Sequence, residues 1–143
     1  MPARTVYLIK RIETEVTAKM NKALTDFDVT LSQFIILNFV HDNTHDLSSA
    51  QLSRRFNMTP QSMNEVVATL QRKELIEKNV DADNKRILRI SLTEKGQDLL
   101  IVCNETIDTV EKDLFGKLSD TDLQTMRDLI GNVLTHIRSS NSA

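Results

Sequence analysis

Tryptophan is missing from this chain, aromatic residues make up only 4% of it, and it has 3 glycines, 2 prolines and a single cysteine. A core built from such material is mostly aliphatic, and a chain with so few turn formers makes few tight turns, which favours helices. The lone Cys103 excludes an intrachain disulfide and agrees with a reducing compartment. No apolar run approaches the roughly 20 residues of a membrane span, and the opening Met1-Pro2-Ala3-Arg4 does not resemble a signal peptide. A cytoplasmic protein with no membrane partner is therefore expected. A Gly-rich phosphate loop is also missing, and Cys103 and the 3 histidines show no nucleophile–base spacing. No enzymatic activity is expected, and no cofactor is required.

What is present is one domain's worth of chain. A length of 143 residues with 40% apolar content supports a real core. The net charge of -2 argues at first against a polyanionic partner, but its distribution is uneven. Between Ser53 and Lys95 nine cations face six carboxylates, a local charge of +3, which leaves -5 for the two flanks. A mildly basic middle between acidic ends is the pattern of a chain whose middle alone meets a polyanion, although charge runs also serve simply to solvate a face.

Periodicity divides the chain into helices and one hairpin. Leu8, Ile12, Val16, Met20 and Leu24 recur at i, i+4, which predicts a long amphipathic helix from about Thr5 to Asp26. A second helix is expected from Leu31 to about His41, with Thr30 as its cap and Phe34, Ile35, Leu37 and Val40 apolar. In "DLSSAQLSRRF", Ser48 and Gln51 have the spacing of a capping box before a short helix ending near Phe56. After Asn57-Met58, Thr59 is an N-cap and Pro60 sits at the first helical position of a helix running to about Lys73. "LIEKNV" and "RILRISL" alternate as strands around the polar tip "DADNK". Long apolar stripes follow from Glu94 to about Phe115, and again beyond the cap at Ser119 to Asp122, through Leu123, Met126, Ile130, Val133, Leu134 and Ile137.

Two short helices joined by a three- or four-residue turn form a helix-turn-helix arrangement. In its second helix Met63, Val66, Val67 and Leu70 share the inward face, leaving Gln61, Ser62, Asn64, Glu65 and Thr69 outward. That face is short, polar and able to form hydrogen bonds. A helix about 20 Å long fits a DNA major groove about 12 Å wide.

The order of these elements resembles the MarR family of multiple-antibiotic-resistance-type regulators. The resemblance is carried by "VTLSQFIIL", "DLSSAQLSRRFNMTPQSMNEVVATLQRKELIEK" and "DADNKRILRISLTEKG" and spans nearly the whole chain. It implies a mainly α fold with a small β-hairpin wing: a single domain over residues 1–143, with a winged helix-turn-helix at about 30–95. The N- and C-terminal helices at about 5–27 and 94–140 would form the dimer. It also implies a homodimer on a pseudo-palindromic double-stranded operator with half-sites about 10 bp apart, usually a repressor released by an inducer such as a small molecule. The hairpin would be the wing, with Arg86 entering the minor groove beside Lys85. A narrow A·T-rich groove attracts such a cation. The candidate DNA contacts are Arg54, Thr59, Gln61, Ser62, Asn64, Glu65, Thr69, Lys85 and Arg86.

Three residues depart from the family pattern. Asn84 stands where many members have an Asp that pairs with the wing arginine, so Arg86 is expected to be held less firmly. Glu74 replaces a Gly before the first wing strand, which points to a different helix end. Glu65 lies where a cation is common; it accepts from cytosine N4 but repels phosphates. Two alternatives stay open: a hairpin whose cations only keep an edge soluble, and a protein-interaction module that keeps the winged fold without operator binding.

Sensor chemistry has less support. Cys103 lies within an apolar stripe and reads as core. His41 and His45, with Asp42 and Asp46, are chemically adequate zinc ligands, but a polar helix end with satisfied imidazoles is the favoured reading and no metal is expected. Tyr7, Phe34 and Phe39 are candidates for a ligand cleft, with the core as their default place.

Overall fold

The computed structural model describes residues 3–43, 47–86 and 88–141. Helix α1 spans Thr5–Leu24, α2 Leu31–Asp42, α3 Ser49–Arg55, α4 Pro60–Arg72, α5 Glu94–Leu114 and α6 Asp120–Asn141. Strands β1, Ile76–Val80, and β2, Leu88–Leu92, pair antiparallel with Ile76 opposite Leu92 and Val80 opposite Leu88. Residues up to Ile107 form one compact unit, and those from Asp108 onward a second.

The first helix stops earlier than its periodicity suggests. At Thr25–Phe27 it tightens into a 3-10 turn, and Asp28 takes a left-handed φ of 55°. The Thr25 hydroxyl donates back to the Asn21 carbonyl, and the Asn21 side-chain oxygen accepts the Leu31 N–H at 2.8 Å. These local bonds turn the chain into α2, whose capping box is made by Thr30 and Gln33. Within α2 the inward residues are Phe34, Ile36, Leu37 and Val40, while Ile35 is exposed. Ile36 lies one helical turn below Val40 and so shares its face, while Ile35, one of the apolar residues of this helix, lies off it.

The first unit is held by an aliphatic core in which Leu24, Leu37, Leu52, Met63, Val67 and Leu70 are wholly inaccessible. The hairpin is anchored to this core by Ile76, Ile90 and Leu92, and the Ile90 N–H donates to the Leu47 carbonyl at 2.9 Å. Helix α5 adds Leu100, Cys103 and Ile107. Its first turn carries Gly96, where a side chain would collide with the Leu75 carbonyl oxygen, so the backbones of α5 and the β1 entry touch directly.

The second unit contains α6, whose start is capped by Ser119 Oγ accepting the Asp122 N–H at 3.1 Å. Arg127 pairs with Glu111 at 3.2 Å. No residue of α6 is buried.

Candidate nucleic-acid interface

The two helices of the turn are set by local chemistry. Ser48 and Gln51 form a reciprocal capping box at the start of α3. Asn57 ends that helix with φ 51°, its N–H reaching the Arg54 carbonyl while Met58 N–H reaches Ser53 at 2.9 Å. This is the paired bond pattern of a left-handed helix stop. Thr59 then accepts the Ser62 N–H at 3.1 Å, and Pro60 opens α4. With Met63, Val67 and Leu70 buried, the opposite side of α4 has no choice but to face solvent.

That side carries all the residues expected on it, but not all are equally free. The Thr59 hydroxyl caps α4 and donates to Ser62 Oγ at 2.9 Å, which commits Thr59 and leaves Ser62 its O–H as a donor. The Thr69 hydroxyl donates to the Glu65 carbonyl and accepts from Arg72 at 3.0 Å. Gln61, Asn64 and Glu65 remain as exposed polar side chains able to meet a partner. Of the five outward residues, Thr69 alone is occupied both as donor and as acceptor, Ser62 keeps one free donor, and Gln61, Asn64 and Glu65 have side chains wholly uncommitted among the described residues.

The entry to the hairpin corrects the expectation drawn from Glu74. This glutamate takes φ 61°, and the bonds Glu74 N–H to Gln71 and Leu75 N–H to Leu70 stop α4 just as a glycine would. Segments distant in sequence satisfy the loose carbonyls. Thr93 Oγ1 donates to the Glu74 carbonyl at 2.6 Å, Thr93 N–H donates to that of Leu75, and Lys95 Nζ donates to that of Lys73. The same Thr93 hydroxyl accepts the Gly96 N–H, so "LTEKG" closes α4 and opens α5 at once.

At the far end the wing tip is organised by Asp81. Its Oδ2 accepts the Asn84 N–H at 3.1 Å and its Oδ1 accepts Arg89 Nε at 3.1 Å. Arg89's hydrogen bond is the main cause holding the Asp81 carboxyl below its ordinary range. Asn84 does not engage the Arg86 guanidinium; its side-chain oxygen accepts the Arg86 backbone N–H at 3.1 Å. Lys85 and Arg86 are exposed, and the Arg86 side chain has no hydrogen-bond or ion-pair partner among the described residues. Between α3, α4 and the wing lies an open cleft into which Arg54, Asn64, Lys78, Arg86 and Arg89 converge. Two stretches of the basic middle, about 30 residues apart, are thereby brought to one surface.

Asp81, Arg89 and Lys78 were not singled out by the sequence. An Asp closing a strand before a polar tip is a turn signal, but its partner eight residues on, across the hairpin, is set by strand register. The other candidates lie elsewhere. His41 is exposed, with Nδ1 3.2 Å from Asp42, and His45 falls outside the described residues. No group of three or more metal-ligating side chains occurs among the described residues. Cys103 is buried, and burial pushes its thiol pKa up. Phe34 is in the core, and Phe39 meets Phe56 edge-on at 5.3 Å with the Arg55 guanidinium 5.5 Å from its ring centre. Tyr7 departs from its expected place in the core: it is 64% exposed, on a part of α1 left uncovered among the described residues.

Comparison with known proteins agrees with this geometry. The MarR family model matches residues 27–87, which run from the 3-10 turn to the wing tip. An uncharacterized HTH-type transcriptional regulator of Bacillus subtilis, YhbI, is 26% identical over 110 residues, covering 77% of this chain and 71% of that protein. An HTH-type transcriptional repressor of Mycobacterium bovis is 30% identical over 93 residues, 65% of this chain and 66% of the relative. Among solved structures, S. aureus MepR in complex with DNA superposes with a TM-score of 0.80 at 25% identity, covering 94% of this chain and 96% of that one. Wild-type MarR from E. coli superposes with 0.79 at 18% identity over 94% of this chain and 98% of its own, a likeness of fold. With a mainly helical chain, a two-stranded wing and these relatives, the protein belongs to the MarR family of winged-helix regulators.

Proposed function

We propose that the protein is a sequence-specific DNA-binding transcriptional regulator, a ligand-responsive repressor that acts as a homodimer on a pseudo-palindromic operator. The observation that carries this reading is the surface shared by α4 and the wing. An outward helix face with Gln61, Asn64 and Glu65 uncommitted lies beside a cleft into which four cations converge. The cations supply sequence-independent attraction to phosphates, and the helix face supplies hydrogen bonds to base edges. Arg86 at the exposed tip is the side chain for the minor groove. The relatives named as HTH-type regulators and the MepR–DNA structure support the same assignment. The cytoplasm follows as the place of work.

Dimerisation is proposed from unpartnered apolar faces. On α1, Val6, Leu8, Ile9 and Ile12 are 45–65% exposed, and on α6, Leu129, Ile130, Val133, Leu134 and Ile137 are 47–59% exposed. Covering the remaining half of such a side chain is worth about 1 kcal/mol, and exposed apolar patches of this extent mark interaction surfaces. A two-fold axis would then place two α4 helices on successive major grooves. For an effector, an open cleft has apolar walls at Phe27, Leu75, Leu99 and Val102 and a rim of mixed charge, with Lys73 and Lys95 beside Asp28, Glu94 and Asp98.

The test is selection of duplexes from a randomised pool by the full-length protein, followed by titration of the enriched duplex against poly(dI-dC). Enrichment of an inverted repeat bound far more tightly than poly(dI-dC) is expected. Failure to enrich any sequence would favour an interaction module, for which the outward Glu65 is the supporting observation.

A further inference from the structure

The wing departs from its family pattern at Asn84, and the structure shows what stands in its place. A chain of hydrogen bonds runs from β2 to the tip: Arg89 Nε to Asp81 Oδ1, Asn84 N–H to Asp81 Oδ2, and Arg86 N–H to Asn84 Oδ1, each 3.1 Å. Both carboxylate oxygens of Asp81 are used, and the pair is well shielded, with side chains 15% and 27% exposed for Asp81 and Arg89. We propose that Asp81 is a positioning residue for DNA recognition: clamped by Arg89, it fixes the backbone that presents Arg86 while leaving the Arg86 guanidinium unneutralised. The proposal rests on the DNA-binding reading above.

The physical logic concerns where negative charge is placed. A carboxylate at position 84 would steady the arginine by pairing with it, and that pair would have to loosen before Arg86 met phosphate or base. Neutral Asn84 removes this competition but also removes the restraint. Asp81 restores the restraint one step back, through the main chain, and spends its own charge on Arg89, which the cleft otherwise adds to its cations. The tip is then ordered before DNA arrives, so less conformational entropy is lost on binding.

This role reverses the sign expected from charge alone. Removing a carboxylate beside a polyanion-binding cleft should tighten all DNA binding. If Asp81 positions the wing, Asp81→Ala instead weakens the selected duplex by about tenfold, with poly(dI-dC) affinity unchanged or higher. Asp81→Asn retains an oxygen acceptor for the Asn84 N–H and should fall between wild type and Ala. A second readout needs no DNA: hydrogen exchange at the amides of Asn84 and Arg86 in the full-length protein should accelerate in both Asp81→Ala and Arg89→Gln, while exchange in the α4 core stays slow. Unchanged or tighter binding of the selected duplex by Asp81→Ala overturns the proposal, as do unaltered wing amides. If the wild-type protein selects no duplex, the DNA-binding reading fails by itself, and the exchange measurement still decides whether the clamp orders the tip.

Discussion

The stretch from Leu24 to Ile107 and the helix α6 are both patterned with apolar residues at helical spacing, yet they end in opposite states. The first buries its set, with Leu37, Leu52, Met63 and Leu70 wholly inaccessible. In α6 no residue is buried, and Ile130 and Val133 remain about half exposed. The N-terminal half of α1 behaves like α6, and its exposure falls along the helix from Ile12 at 55% to Leu24 at 0%. An amphipathic repeat therefore announces that a face needs covering, while saying nothing of whether the cover is the same chain or another. Here the reading half of the molecule buries its own apolar set, and the two terminal helices leave theirs exposed, the faces on which the proposed dimer rests.

The sharpest way to break this comparison is Ile130→Asp. An unpaired carboxylate in a proposed interface costs several kcal/mol. Sedimentation should show dissociation, and affinity for the selected duplex should fall by about a hundredfold or more as two half-sites become one. A variant that stays dimeric with full affinity would remove α6 from the interface. Gly96→Ala probes the half that buries its own apolar set, where the new methyl would meet the Leu75 carbonyl oxygen. Thermal unfolding should register a loss of about 1–3 kcal/mol; no change would mean that the contact relaxes freely.

Arg86→Ala leaves both halves folded and sharpens the functional side of the contrast. It should weaken the selected duplex by about 1–3 kcal/mol, more on A·T-rich flanks than on G·C-rich ones, as titrations of paired duplexes would show. Equal loss on both flanks would place this cation on phosphate instead of in the groove. The smallest effect is expected at Glu74, where a non-glycine residue holds φ 61°. Glu74→Gly should stabilise the protein by about 0.5–1 kcal/mol in denaturant titration, since the relief of left-handed strain exceeds the entropy glycine loses. A loss instead would show that the exposed approach of Lys95 to Glu74, at 3.9 Å, contributes more than its exposure suggests.

Much of the candidate interface was legible because its determinants are local. The caps at Thr30, Ser48 and Thr59 act within three residues, and each forms as its spacing predicts. The outward face of α4 follows from helical period alone. The wing clamp was not legible in the same way. Asn84, in place of a pairing Asp, pointed only to a less firmly held Arg86; the structure adds that its side chain binds the Arg86 backbone and that the anchoring falls to Asp81 and Arg89. That pairing depends on which residues the hairpin register sets within reach, and a one-residue slip would separate them.

By itself, then, the order of residues determined the helices, their caps, the hairpin and the inward face of α4, because these arise from bonds and periods a few residues long. Tertiary structure decided the rest. It set Thr93 and Lys95 over the end of α4, brought Arg54 and Asn64 to the same cleft as Lys78 and Arg86, and left Tyr7 outside the core where its apolar neighbours suggested burial. The reason is that hydrophobic burial is non-directional. It rewards any cover for an apolar face, so where that face goes is fixed only when the whole chain has packed and the remaining surface is left to a partner.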